Sequence, residues 1–395
     1  LKRIAYLDGI RGLAALIVIF HHYGLAFYIA TFSSNPAESQ FTGIQFDTII
    51  GNSPLGVFFN GNFAVCIFFV LSGIVLSNSF FISGKIEQIP AMAVKRYFRL
   101  TIPILFSVII SFILIKLSLM YNLEAVQVVK KSWWLHDMYN APANYHFTDI
   151  FNEGLLKIQL LGSEKYNTVY WTMADELYGS FLVFSILALT YKIRKRYLCY
   201  VLLIIALLYI WEYFCVCFVA GVWISDVLAN KQVNPSGRAK MVFVFLLLIG
   251  LFLGSYPSFD KFMGPVYEYL KLPGDRQSSV IYHCLGAILV VGSICYLPFL
   301  QKILSLKPFQ FLGYISFSTY LLHALVLGSF SCWLFIKLYP IINYHVTFAV
   351  VFSISLCIII VASYFMAKYV DDKGIKFSKY IYNRFFAPKQ VVSDK

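Results

Sequence analysis

Arg11 and His22 stand eleven positions apart in an otherwise apolar run, Leu7-Asp8-Gly9-Ile10-Arg11-Gly12-Leu13-Ala14-Ala15-Leu16-Ile17-Val18-Ile19-Phe20-His21-His22. Eleven residues at about 100° each return to within about 20° of the starting direction, so a helix carries both side chains on one face, about 16 Å apart. His21 points elsewhere. A long cationic side chain near a helix end can snorkel, which would account for Arg11, but an imidazole roughly 22 Å along the helix cannot. Ionisable groups inside apolar spans are costly and point to function. The chemistry of imidazole near neutral pH is proton transfer.

Three further segments carry candidate groups. Arg96 and Arg99, in Lys95-Arg96-Tyr97-Phe98-Arg99, share a face beside the expected level of Arg11. Guanidinium forks suit the phosphates of a nucleotide-bearing donor; a positive-inside anchor is the competing explanation. In Trp171-Thr172-Met173-Ala174-Asp175-Glu176-Leu177-Tyr178-Gly179-Ser180, the positions Thr172, Glu176, Gly179 and Ser180 form a small polar stripe suited to close packing with the carboxylate inward. A span entering from outside puts Glu176 about 8 Å below the outer boundary, level with His22 in a core about 30 Å thick. The expectation is a carboxylate that orients an imidazole base. Ser316, Tyr320 and His323, at i, i+4 and i+7, line one face of a late segment, as substrate-binding groups or as hydrogen-bonded packing.

The elements that must hold these groups are membrane helices. The 395 residues are 59% hydrophobic and 13% charged, with a mean hydropathy of +0.73; a soluble domain carries roughly 25% charged residues. Ten spans are expected, at about 8–32, 62–83, 100–121, 170–191, 197–212, 214–229, 240–256, 279–299, 311–336 and 346–368. The fold class is therefore all-α, a polytopic membrane protein of about ten transmembrane helices. Counting Lys240 and Lys368 at the span ends, 22 Lys and Arg lie on the side of the termini and 8 on the other. Positive charge marks the cytosolic side, so both termini are expected there. The net charge of +13 is then topological, with attraction to membrane lipids as a by-product and no nucleic-acid partner. The weak pair is 197–229, which must cross twice at near-minimum length. Residues 1–370 are read as one transmembrane domain and 371–395 as a basic cytosolic tail on the membrane surface.

The eight cysteines fall almost entirely within apolar segments and show no CxxC or Cys/His ligand spacing. No metal and no disulfide framework is expected, and each reads as a small hydrophobe. Residues 1–7 are short and polar, so no cleavable signal is expected. No Asn-x-Ser/Thr acceptor with a permitted middle residue occurs, which favours a non-glycosylating host and so a bacterial inner membrane. The outer loop 122–169 holds Trp133, Trp134, His136, Asp137, Tyr139, Tyr145 and His146, either an interfacial belt or a surface for sugar rings.

Taken together, these segments resemble acyltransferase family 3, the ten-helix membrane acyltransferases that decorate surface glycans and related molecules. Leu7-Asp8-Gly9 with Arg11 and His22 is similar to the family's first-helix signature. Phe68-Phe69-Val70-Leu71-Ser72-Gly73 is similar to its second-helix motif, and Arg96-x-x-Arg99 followed by Pro103 to its third. Trp171-Thr172 with Glu176 and Ser180, and Ile315 to His323, resemble the fourth-helix and late motifs. The matches run in order over 7–323. Cys66 departs from the pattern where a polar residue is frequent, and so does Asp175 before Glu176.

The resemblance implies His22 as the catalytic histidine and Arg11, Arg96 and Arg99 as residues for donor binding or catalysis. It implies acyl-CoA, by default acetyl-CoA, as donor substrate with no permanently bound cofactor, and a hydroxyl of a carbohydrate or glycoconjugate as acceptor. The chain shows no fused esterase-like domain after the spans, so transfer is expected from the membrane domain or a separate partner. A transporter or flippase of a glycan or lipid-linked substrate is the rival expectation.

Overall fold

The computed structural model describes residues 4–139, 145–230, 235–259, 262–273 and 277–387, and it is helical throughout, with no strand among them. Each of the ten expected spans falls on a helix: α1 (Ala5–Phe27), α2 (Gly61–Ser83), α3 (Gln88–Lys116), α4 (Thr172–Thr190), α5 (Arg196–Tyr209), α6 (Tyr213–Asn230), α7 (Gly237–Gly254), α8 (Ser278–Ile294), α9 (Lys307–Val326) and α10 (Tyr344–Met366). Eight of these helices are long and apolar enough to cross a membrane. The chain is a polytopic membrane protein. The two that fall short are α5, with 14 residues or about 21 Å of rise, and α8, which bends by 96° into Pro298–Leu304.

Glycine decides where the bundle can close. A Cβ on Gly313 of α9 would stand 2.1 Å from the carbonyl oxygen of Asp8 on α1, and a Cβ on Gly9 would stand 2.1 Å from that of Leu304. The α2–α6 crossing works the same way, with Gly73 against Phe218 and Gly221 against Val70, each leaving 2.3 Å to a carbonyl oxygen. Without an apolar solvent gradient between helices in lipid, such backbone approach is what holds them together. The helices α1, α2, α6 and α9 form the centre, while α5 and α7 lie at the periphery with few buried residues.

Two boundaries differ from expectation. The third span was expected from residue 100, but α3 begins at Gln88, so Arg96 sits more than two turns inside a helix rather than in a loop. The last helix does not stop near residue 368. It continues through α11 (Asp372–Ile381) to Phe386 and packs along α3, because the basic tail alternates apolar and charged positions at helical spacing. The described parts of the long loops 33–61 and 122–169 are also folded. Ser132 donates to the carbonyl of Leu25 at 2.6 Å and Gln40 to that of Val129 at 3.1 Å, tying both loops over the C-terminal end of α1.

Candidate active site

A cavity of about 500 Å³ opens between α1, α2, α3, α4, α9 and α11. It follows α2 from Asn78 to Val65, a path of about 20 Å at helical rise. One end is charged. Arg11, Arg96 and Arg99 line it together with Asp8, Glu176, Asp371 and Asp372. Arg11 donates to Asp8 at 2.9 Å, Arg96 donates to Ser180 Oγ at 2.9 Å and to Glu176, and Ser72 donates to Glu176 at 2.6 Å. Asp372 accepts from Tyr314 at 2.8 Å. Three guanidinium groups thus face four carboxylates, and the most exposed cation is Arg99.

The other end is closed by Tyr320. Its hydroxyl bonds Thr172 Oγ1 at 2.7 Å and the carbonyl of Val169 at 3.0 Å, and its ring lies 5.9 Å from that of His323. Beyond it stand His22 and His323, with His323 Nε2 at 3.1 Å from His22 Nδ1. His22 is half-buried, flanked by the rings of His21 and Trp134 at 5.0 and 5.3 Å. His323 is fully buried.

The carbonyl partners determine the tautomers. A carbonyl only accepts, so His323 Nδ1, 3.0 Å from the Thr319 oxygen, carries the proton and leaves Nε2 as an acceptor. His22 Nδ1 likewise donates to the Val18 oxygen at 2.9 Å, with the acceptor Nε2 of His323 beside it. Neutral His22 therefore keeps its lone pair on Nε2.

The sequence expectation about Glu176 is corrected here. It does not orient His22; it takes Arg96 and Ser72. Equal depth along two helices is not contact, and the early start of α3 brings Arg96 to α4, while the α1–α9 crossing gives His22 its partner on α9. Arg11, Arg96, Arg99, Glu176, Ser316 and Tyr320 do share the cavity as lining residues, and His22 and His323 pair just past it. Ser72, Asp371 and Asp372 were not singled out from sequence. Ser72 lay within a quoted motif, but the two aspartates carried no signal because the tail was read as a surface strip. Three of the cysteines, Cys66, Cys217 and Cys284, converge to within 4.8 Å, although they come from three helices and no local spacing announces them.

The helical fold is that of a polytopic membrane protein, and its sequence makes it an acyltransferase. The chain belongs to acyltransferase family 3: the family model described as an acyltransferase domain matches residues 4–366. It is similar to "Acyltransferase clz18" of Cochliobolus lunatus, 24% identical over 83% of each chain, and to "Acyltransferase R4" of a Phoma species, 22% identical over 90% of each. It is also 22% identical to "O-acetyltransferase PaAT-1" of Phomopsis amygdali, over 99% of this chain and 86% of that one. No solved structure matches the chain significantly.

Proposed function

We propose that this acyltransferase moves an acyl group, acetyl by family default, from cytosolic acyl-CoA to a hydroxyl of a carbohydrate or glycoconjugate acceptor reached from the opposite face. The observation that carries the reading is the arrangement of one cavity, with arginines at one end and a tautomer-fixed histidine pair just past the other. The donor phosphates would engage Arg99, Arg96 and Arg11, and the acyl arm would follow α2 towards Tyr320. Ser316 and Tyr320 line that path.

His22 would act as general base. Its Nε2 takes the acceptor hydroxyl proton, the oxygen bonds to the thioester carbon, the C–S bond breaks, and the departing thiolate takes the proton back from His22. The imidazolium formed in between is stabilised by the Val18 carbonyl and by His323 Nε2, both accepting from Nδ1–H. Trp134 beside His22 suits the apolar face of a sugar ring. The membrane is proposed, on the missing glycosylation acceptors, to be a bacterial inner membrane.

Purified protein incubated with labelled acetyl-CoA and membrane glycans tests this, with the product read by mass spectrometry. Label on a sugar hydroxyl with release of CoA is expected. Label only on non-carbohydrate hydroxyls would overturn the acceptor, and absence of CoA release with every acceptor would overturn the donor.

A further inference from the structure

Cys66 on α2, Cys217 on α6 and Cys284 on α8 are all buried, and their sulfur atoms lie within 4.8 Å of one another. The Cys66 and Cys284 sulfurs are 3.6 Å apart. Three sulfurs around one ion, with metal–sulfur bonds of roughly 2.3 Å, stand about 3.8–4.0 Å from each other. One pair thus stands close to that spacing, and the third sulfur lies within about 1 Å of it. A buried cysteine is in most settings a small hydrophobe, and one or two would carry nothing more. Here three separate helices aim their thiols at one point, in a junction apart from the cavity, whose lining includes none of the three.

We infer that Cys66, Cys217 and Cys284 bind one thiophilic cation, and that the ion is Cu(I). Structural zinc is almost always four-coordinate, whereas the cluster offers three His, Cys or carboxylate ligand atoms among the described residues. Soft thiolates select Cu(I). Loading replaces S–H bonds by Cu–S bonds, releases one proton for each thiolate formed, and leaves the oxidation state of copper and sulfur unchanged. The bound ion would pin α2, α6 and α8 to one another. Because α2 lines the cavity along its length, the staple would hold the cavity wall in place.

The test is Cu(I) supplied anaerobically to purified full-length protein in detergent, against a competing Cu(I) chelator. One Cu(I) retained per chain is expected. Cys66→Ser, Cys217→Ser and Cys284→Ser should each weaken retention beyond the roughly 10–100-fold cost of losing a mere outer-shell partner. Cys199→Ser and Cys357→Ser, on the periphery, should leave it unchanged. X-ray absorption on the loaded wild-type protein, which needs no variant to fold, should show sulfur neighbours only. No retained copper, copper bound equally by the triple variant, or a nitrogen- and oxygen-rich shell would each overturn the proposal. Tighter retention of Zn(II) than of Cu(I) would overturn the choice of ion.

Discussion

At the scale of single residues, the pairing of His22 with His323 and of Glu176 with Arg96 separates two roles that a one-dimensional reading merges. If His22 is the base and His323 its support, His22→Ala should abolish transfer, and His21→Ala should be much milder, since His21 turns instead to the Phe59 carbonyl at 2.8 Å. His323→Ala should lower kcat, and its loss should not add to that of His22→Ala, as for groups acting as a unit. Rescue by His323→Asn, whose amide oxygen can accept from Nδ1–H, would separate this support from packing. Glu176→Gln should behave differently. It leaves Arg96 without its counter-charge, at a cost on the order of 3–5 kcal/mol for a buried pair. The variant should lose thermal stability, and its effect on rate should be independent of that at His22. Non-additivity between Glu176→Gln and His22→Ala, measured in steady-state kinetics, would restore the carboxylate as the imidazole's partner.

At the scale of elements, α11 matters most, because it turns an expected surface tail into a wall of the cavity. Asp371 and Asp372 bring negative charge to the end where the donor phosphates are proposed to bind. Removing that charge should help a polyanion more than it disturbs the fold. Asp371→Asn and Asp372→Asn are expected to tighten CoA binding, by calorimetry on detergent-solubilised protein, with the gain shrinking at high salt. Weaker binding in both variants would mean that the aspartates position the arginines instead of competing for them. The same helices show what the sequence could and could not reveal. Residues 62–83, 240–256 and 346–368 were legible because apolar length alone defines a span. The start of α3 was not, since Lys95, Arg96 and Arg99 read as a boundary, whereas Glu176 and Ser180 on α4 offset the burial of Arg96. Arg11 and His22 were legible through helical periodicity. The partner of His22 was not, because which helix faces α1 depends on Gly12 and Gly313, where a Cβ would stand 2.7 Å from the Gly313 nitrogen and 2.1 Å from the Asp8 oxygen respectively, an approach that is a property of the packed bundle.

At the scale of the whole molecule, the cavity's charged end lies where α1, α3 and α9 begin and where α11 runs. From the charge bias we propose that this side faces the cytosol, an orientation that is testable. In a cysteine-free background, single cysteines at exposed Thr42 or Asp137 should react with an impermeant thiol reagent applied outside intact cells, and cysteines at exposed Lys85 or Lys195 should not. Reaction on the reverse sides would invert the molecule and put the proposed donor site in the wrong compartment.

The glycine crossing of α1 and α9 is also a fulcrum. His22 lies 10 residues from Gly12, which meets Gly313 at the crossing, and His323 lies 10 from Gly313, lever arms of about 15 Å. A tilt of about 5° at the crossing would swing each imidazole by roughly 1.3 Å over arms of that length. A misplacement of about 1 Å can cost a catalytic constellation about 100-fold. Gly313→Ala, at the charged end of the cavity and about 15 Å from the imidazoles, should therefore depress kcat more steeply than it weakens CoA binding. Equal loss of both in steady-state and binding measurements would show that the change collapses the bundle instead of moving its arms.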